Sequence, residues 1–278
     1  MPMITLLPLG GLANRMRSIA SGVSLARKYN SRLRIIWIKD AGLNCAFSEL
    51  FHKWHLPDIR LKEASLTDRI LYDRPRPRNM RIPQYFQRLL FDDRLYDEHK
   101  ERFIDRAFDY DRWLTENRKV YIATCYPFFD APDTIYKELF VPTDEIEQLI
   151  TPYTSQFTAH TVGIHIRRTD NVESIRQSPI ELFVEAMEQE VQAFPDTVFF
   201  VASDSEEEKS VLKRRFGKRI ITSAQKAERN SIEGMKEAVA DFYTLSRTHR
   251  IFGSQYSSFS EVAAKINNVP FSTLKLKL

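Results

Sequence analysis

Residues 3–38 read MITLLPLGGLANRMRSIASGVSLARKYNSRLRIIWI. An apolar run over 3–8 is followed by a glycine pair, by a helical pattern over 16–29 and by a second apolar run over 33–38. A strand, a loop, a helix and a second strand in this order form a parallel pair with a right-handed crossover. Ligands of such units bind beyond the carboxyl ends of the strands. The stretch therefore predicts an α/β fold built on a parallel sheet.

The loop of this first unit contains Gly10, Gly11 and Asn14. Glycines allow a backbone to approach a ligand closely, and the helix that follows offers free N–H groups to an anion. A tight turn without a ligand explains the same glycines. Both interpretations stay open at the level of the sequence.

The second half of the chain alternates steadily between strands and helices. Apolar runs predict strands at 161–167, 197–202, 219–222 and 249–253, with helices at 179–193, 205–215, 231–247 and 258–267. This alternation predicts a second doubly wound α/β domain. Helical patterns at 134–140 and 144–153 precede it, so we expect the two domains to span 1–156 and 157–278.

The segment between residues 56 and 118 lacks this regularity. Arginines and prolines alternate over 74–78, a pattern that a regular helix cannot adopt, and helical stretches rich in both charges follow at 83–95 and 99–108. We expect a small helical insertion here. Its arginines could contact an anionic acceptor, although a solvated loop explains them as well.

Composition narrows the class of protein. The 278 residues are 43% hydrophobic and 12% aromatic, enough to bury a sizeable core, and the formal charge of +4 is too small to indicate nucleic acid. Cys45 and Cys125 do not have the spacing of a zinc or redox motif. No apolar run reaches the length that crosses a bilayer. We expect a cytoplasmic protein, and peripheral attachment to a membrane surface is compatible with this sequence.

The motif that points most directly to chemistry is VGIHIRRTD, at 162–170. Its alternation turns His165 and Arg167 to one face of a strand and Arg168 to the other. A guanidinium matches phosphate oxygens with a planar fork and keeps its charge at neutral pH, so an arginine at a strand end suits a diphosphate. Pairing of both arginines with acids such as Asp170 is the structural alternative.

Two further features carry polar groups, one at the end of a predicted strand and one on a predicted helix. Ser203 and Asp204 follow a predicted strand and could line a nucleotide pocket, but capping of the next helix is the role that we favour for Asp204. Asp241 lies on a predicted helix with a core-facing apolar side. A carboxylate there can accept hydrogen bonds from N1 and the exocyclic amine of guanine, an edge that adenine lacks.

The serine-rich loop GSQYSSFS, at 253–260, opens the predicted helix at 258–267. The hydroxyls of Ser257 and Ser258, together with free helical N–H groups, suit a phosphate. An N-cap without a ligand is the alternative.

These motifs, in this order, resemble those of the GDP-fucose-dependent fucosyltransferases, above all the core α1,6-fucosyltransferase and rhizobial nodulation group. The similarity rests on HIRRTD at 165–170, on SPIE at 178–181 and on the run from 230 to 259. GGLANR, at 10–15, resembles the glycine loop of protein O-fucosyltransferases. The middle of the chain is unmatched.

The resemblance implies a GT-B architecture, in which two Rossmann-like domains face each other across a cleft. It implies an inverting transferase that moves fucose from GDP-fucose to a glycan hydroxyl and needs no metal or other cofactor. The donor-binding residues carried over are Gly10, Gly11, Asn14, His165, Arg167, Ser203, Asp204, Asp241, Ser257, Ser258 and Phe259. Among these, His165 and Asp241 would bind guanine, Arg167 the β-phosphate, Ser257 and Ser258 the diphosphate, and Asn14 the fucose or the neighbouring phosphate.

The match ends directly after the arginine motif. In the α1,6 group a lysine follows Arg-Arg-Thr-Asp and a glutamate comes four residues later, whereas this chain has Asn171 and Ile175. Glu173 is the nearest acid, and we expect it to be the general base, beside Arg167 and Asn14 as the other catalytic residues. Asp170 is expected to hold an arginine in place.

Two alternatives remain open. The donor could be another GDP-hexose, since no residue that faces the sugar is identifiable. The chain could also be a non-catalytic protein that binds a nucleotide sugar or a glycan, because the lysine is missing and the glutamate is displaced. A GDP-sugar and a glycan acceptor are the expected partners, nucleic acid is not, and the sequence leaves the linkage and the oligomeric state open.

Overall fold

The computed structural model describes residues 1–104, 108–168, 172–223 and 231–276. The chain forms two compact units, Met1–Phe140 and Val141–Leu278. Each unit contains a five-stranded sheet whose strands pair in parallel. The prediction of an α/β fold with two parallel sheets is confirmed.

The sheet of the first unit has the strand order β3-β2-β1-β5-β4. Its strands are β1 (Met3–Pro8), β2 (Arg32–Trp37), β3 (Ile59–Glu63), β4 (Asp93–Tyr96) and β5 (Lys119–Thr124). The helices are α1 (Leu12–Lys28), α2 (Phe47–Leu50), α3 (Leu66–Tyr72), α4 (Ile82–Leu90), α5 (Lys100–Phe103), α6 (Tyr110–Glu116) and α7 (Thr134–Leu139). The order reverses at the central strand β1, so the glycine loop lies at the edge where such sheets bind ligands.

The expected helical insertion at 56–118 is corrected by this sheet. β3 and β4 come from that segment and form the two edges of the same sheet. The helix expected over 83–95 ends at Leu90, and the residues after it form a strand. β3 has the sequence IRLKE and β4 the sequence DRLY. Because an edge strand is partly solvated, neither has the continuous apolar run that identifies a central parallel strand.

The sheet of the second unit has the order β10-β9-β6-β7-β8. Its strands are β6 (Thr161–Ile166), β7 (Val198–Ser203), β8 (Ile220–Ile221), β9 (Arg250–Ser254) and β10 (Phe271–Leu274). The helices are α8 (Asp144–Thr154), α9 (Val172–Gln177), α10 (Ile180–Ala193), α11 (Glu206–Phe216), α12 (Ile232–Leu245) and α13 (Ser258–Asn267). The predicted alternation from β6 to α13 is confirmed, whereas α9 and β10 were not predicted.

The two faces of β6 are packed differently. Ile164 and Ile166 join a core with Phe183 and Met187 of α10. On the other face, a Cβ added to Gly163 would lie 2.8 Å from Thr248 Oγ1. On the neighbouring strand β9, a Cβ added to Gly253 would collide with Ser260 of α13. Glycine at these two positions therefore lets the chain beyond α12, and α13 itself, lie directly against the strands.

The boundary between the units lies after Phe140 and not at the expected residue 156. α8 packs against α12, with Ile146 and Ile150 buried. Lys236 and Arg247 pair with two glutamates of α8, each at 2.6 Å. These contacts make α8 part of the second unit.

Within the described ranges, no helix combines the length and apolarity needed to cross a bilayer. The same part of the chain contains no group of three or more His, Cys, Asp or Glu side chains placed to hold a metal ion. Cys45 and Cys125 are free thiols.

Candidate functional site

The candidate site of the second unit lies where the strand order reverses. The chain passes from β6 to β7 and β8 on one side and then returns to β9 on the other side of β6. In doubly wound sheets, ligands bind outside the carboxyl ends of the strands at such a reversal. The residues that follow β6 and β9 are therefore the first candidates.

Hydrogen bonds and a ring contact join these two strand ends. The backbone N–H of Arg167 donates to Ser254 Oγ at 3.0 Å. The His165 ring stacks on Phe259 of α13, with centroids 4.8 Å apart, and its Nδ1 lies 3.2 Å from Ser260 Oγ. The structure thus brings together three of the predicted residues, His165, Arg167 and Phe259, at the start of α13.

His165 is largely covered, with 6% of its surface exposed. Burial, reinforced by the positive charge of Arg167, lowers the pKa of the imidazole to about 4. The ring is therefore neutral at physiological pH. A neutral ring packed on α13 can pack against a planar ligand ring or share one hydrogen bond with it. It does not add positive charge to an anion site.

The two arginines hold different positions, as the alternation predicted. Arg167 Nη1 lies 3.0 Å from Asp204 Oδ2, whereas the guanidinium of Arg168 pairs with Glu208 of α11. The N–H of Arg168 also donates to Asp204 Oδ1 at 2.8 Å. Capping of α11 by Asp204 was a wrong prediction, because Ser205 is the N-cap residue and accepts from the N–H of Glu208. Asp204 instead fixes both arginines.

The amino terminus of α13 directly follows β9. Ser257 is its N-cap residue, and within the described helix the side chain makes no capping hydrogen bond. Ser258 is the first helical residue. Free N–H groups of a first turn bind anions. Ser203 has a structural position instead, because its Oγ donates to the Ile166 carbonyl at 2.9 Å and accepts from the N–H of Ser205.

Asp241 is a buried carboxylate on α12, with 4% of its surface exposed. Ser223 Oγ lies 3.5 Å from Oδ2, and Oδ1 has no hydrogen-bond partner among the described residues. Burial raises the pKa of this carboxyl to about 7, although the positive charge of Lys209 opposes the shift. A buried oxygen without a partner is costly, so the position is suited to a ligand that donates hydrogen bonds.

Two charged residues beside Asp241 were not predicted. Glu237 lies one helical turn earlier on α12, is also buried, and has an Oε2 without a partner in the described part of the chain. Lys209 of α11 is 2% exposed, and its Nζ lies 2.8 Å from Glu206 Oε1 and 3.5 Å from the Ser223 carbonyl. Only the i,i+4 spacing of the two acids on α12 could have indicated this cluster.

The proposed general base has an exposed position. Glu173 lies in the first turn of α9, and its carboxylate pairs with Arg176 at 2.7 Å, both side chains being more than half exposed. Thr169, Asp170 and Asn171 lie outside the described residues, so the structure does not test the bracing role expected for Asp170.

In the first unit, the glycine loop leads directly into the start of α1. Gly10 has a φ of +80°, which favours glycine, and Gly11 is the N-cap residue of α1. Asn14 Oδ1 accepts from Arg17 at 2.7 Å. A Cβ on Gly10 would lie 3.1 Å from Asn14 Nδ2, so the glycine keeps this amide close to the loop.

Arg15, which was not predicted as a site residue, fastens this loop. Its side chain is fully buried, and its Nε, Nη1 and Nη2 donate to the Gly10 carbonyl, the Ile38 carbonyl and Asp40 Oδ1 at 2.9, 2.6 and 2.9 Å. The guanidinium lies over Trp37, 4.8 Å from the ring centroid. Burial lowers its pKa, while Asp40 opposes that shift. The arginine thus joins the carboxyl ends of β1 and β2.

Solved structures with a similar fold include fucosyltransferases. The chain superposes on NodZ from Bradyrhizobium with a TM-score of 0.65 and 18% identity, over 94% of this chain and 91% of that one. A variant of Arabidopsis thaliana FUT1 in complex with GDP gives 0.66 and 18%, over 98% and 70%. POFUT1 in complex with GDP gives 0.59 and 10%, over 98% of both chains. At these identities the likeness establishes the fold.

No protein-family model matches the sequence. No curated protein sequence matches it either.

Replacing Arg15 tests whether the buried network holds the glycine loop. Arg15→Met should lower the free energy of unfolding by about 3–5 kcal/mol in urea denaturation, because it leaves Asp40 without its buried partner. Adding Asp40→Leu should recover part of the loss. Arg32→Met, at an exposed position of β2, is the control and should change stability by less than about 0.5 kcal/mol. A loss for Arg15→Met as small as the control's would contradict this role.

Proposed function

We propose that the chain is an inverting, metal-independent glycosyltransferase that moves fucose from GDP-fucose to a glycan hydroxyl. The observation that carries the proposal is a hydrogen bond between two strand ends at the reversal of strand order. The N–H of Arg167, after β6, donates to Ser254 of β9, the strand that leads into α13. The fucosyltransferase fold supports it. The proposal includes a GT-B arrangement, with the donor on the second unit and the acceptor on the first.

The diphosphate would bind between Arg167 and the amino terminus of α13. Asp204 holds the guanidinium at one side, and the planar fork of Arg167 would meet the β-phosphate. Ser257 and Ser258 would add hydroxyl and backbone donors. As the bond from fucose C1 to the phosphate oxygen breaks, negative charge collects on the departing GDP. Donors held in place in this way contribute about 3–4 kcal/mol each to a transition state.

Asp241 and His165 would be the residues that bind guanine. The Oδ1 of Asp241, which has no partner among the described residues, and its weakly bonded Oδ2 match the N1–H and amine of guanine. Adenine offers no N1–H, so this carboxylate would reject it. Ser203 would support the pocket through the backbone of β6.

The acceptor hydroxyl would attack C1 from the face opposite to GDP. Its oxygen forms the new bond to C1 while its proton passes to a carboxylate, for which we propose Glu173. Gly10, Gly11 and Asn14 would contact the fucose or the neighbouring phosphate from the first unit. Arg176 pairs with Glu173 in the absence of substrate.

Two other functions are kept as alternatives. A different GDP-hexose would use the same nucleotide contacts, and a non-catalytic binder of nucleotide sugars would explain why Glu173 is exposed and paired. Release of GDP from GDP-fucose and from GDP-mannose, measured across an acceptor glycan array, separates the three. Release from GDP-fucose with one class of acceptor supports the proposal. Binding of GDP without turnover on any acceptor would support the binder.

The role of Arg167 is tested by calorimetry of GDP binding in a chelating buffer. We expect GDP to bind without magnesium, and Arg167→Ala to weaken binding by at least about 2 kcal/mol, or roughly 30-fold. Arg168→Lys should cost less, because that guanidinium pairs with Glu208. Absence of GDP binding at millimolar concentration would refute the proposed function. An equal loss in both variants would refute the division between the arginines.

The raised pKa of Asp241 gives a pH test. Only the ionised carboxylate can accept hydrogen bonds from both the N1–H and the amine of guanine. GDP affinity should therefore fall about tenfold per pH unit as the pH drops below about 7. Without GDP, the contribution of Asp241 to the free energy of unfolding depends on pH in the opposite direction. The folded state binds this proton more tightly than the unfolded chain, so stability from this group should decline from about pH 4 to 7 and stay level above.

Asp241→Asn is the matched control. The terminal phosphate of GDP also titrates in this range, and the variant should show that dependence alone. If wild type and variant lose affinity in parallel as the pH falls, Asp241 does not contact the base.

A further inference from the structure

The helix α4 exposes its apolar side. Ile82, Tyr85, Phe86, Leu89 and Leu90 follow the helical spacing and form one stripe, with Tyr85 66% and Leu89 86% exposed. A surface helix ordinarily turns such a stripe to the core. Here Tyr85 and Leu89 are largely exposed, and the other three side chains of the stripe are 37–39% exposed.

The packed side of α4 is not formed by its apolar stripe. The buried residues of the helix are Pro83 and Gln87. The amide of Gln87 donates to the Leu71 and Asp73 carbonyls at 3.2 and 2.9 Å, and its oxygen accepts from Tyr96 Oη at 2.7 Å. These bonds fix the orientation of α4, so exposure of the stripe is built into the fold.

Neighbouring residues enlarge the stripe. Leu66 and Ile70 lie one turn apart on α3 and are 82% and 50% exposed, and Met80, two positions before the first residue of α4, is 75% exposed. Together with the stripe of α4 they form what we name the α3–α4 surface. More than half of the exposed large hydrophobic side chains of the described chain belong to it. Such concentration marks an interaction site and not scattered surface residues.

The α3–α4 surface is positively charged. Residues 66–90 contain six arginines and two aspartates. Both aspartates are already paired, Asp68 with Lys62 and Asp73 with Arg76. Exposed Arg78, Arg81 and Arg88 flank the apolar side chains.

We propose that the α3–α4 surface docks on an anionic lipid bilayer. Aliphatic and aromatic side chains bordered by arginine are the composition of helices that lie in the bilayer interface, where the apolar face enters the acyl boundary and the cations meet lipid phosphates. At nine residues, α4 is about 14 Å long and lies along the interface without spanning it. A second copy would present the same positive charge, so like charges oppose pairing of two such surfaces.

Vesicle flotation tests this surface with the full chain. We expect binding to vesicles of phosphatidylglycerol and phosphatidylcholine, at least about tenfold weaker binding to phosphatidylcholine alone, and loss of binding in high salt. Phe86→Asp/Leu89→Asp should weaken binding at least about tenfold, and Arg81→Gln/Arg88→Gln should abolish the preference for the anionic lipid. Val141→Asp, at an exposed apolar residue outside this surface, is the control and should bind normally.

Far-ultraviolet circular dichroism of each variant shows whether it is folded. If the double variant Phe86→Asp/Leu89→Asp is unfolded, the single variant Leu89→Asp would replace it. Equal binding of wild type and the folded Phe86→Asp/Leu89→Asp variant would overturn the proposal, as would absence of binding to either vesicle. Light scattering after gel filtration measures the molar mass and so detects a second copy of the chain bound to the α3–α4 surface. A dimer that these aspartates dissociate would also overturn it.

Discussion

At the end of β6, where its hydrogen bonds to the neighbouring strands stop, the backbone N–H and C=O groups need other partners. Side chains of those neighbours provide them: Ser254 accepts from the N–H of Arg167, Asp204 accepts from the N–H of Arg168, and Ser203 donates to the Ile166 carbonyl. Buried backbone groups need such partners. The same residues therefore complete the sheet and orient the arginines, so the position of the candidate site depends on how this one strand ends.

The sequence predicted the elements whose signal is local. The elements from β6 to α13, apart from α9, follow from apolar runs and capping residues, because central parallel strands are apolar throughout. The edge strands β3 and β4 were missed since they are short and charged. The boundary between the units was misplaced because the packing of Ile146 and Ile150 of α8 on α12 joins segments far apart in the chain, and periodicity carries no information about partners.

Prediction of the site was limited in the same way. The motif and its alternation indicated His165 and Arg167, but the partners of a charged side chain depend on the fold. Arg15 was not predicted as a site residue, yet each of the three nitrogens of its guanidinium donates a hydrogen bond in the interior. Asp241 and Glu237 are equally buried but retain oxygens without partners in the described chain. This contrast separates a charge that serves the fold from charges that suit a ligand.

The bonds of Arg15 also bear on the order in which the chain folds. Its partners, the Gly10 and Ile38 carbonyls and Asp40, lie 5, 23 and 25 residues away in the sequence. Contacts between residues close in sequence require little loop closure and form early. β5, by contrast, must reach β1 across more than a hundred residues. The β1-α1-β2 segment can therefore act as the nucleus on which the later strands of the first unit assemble, with its glycine loop already shaped.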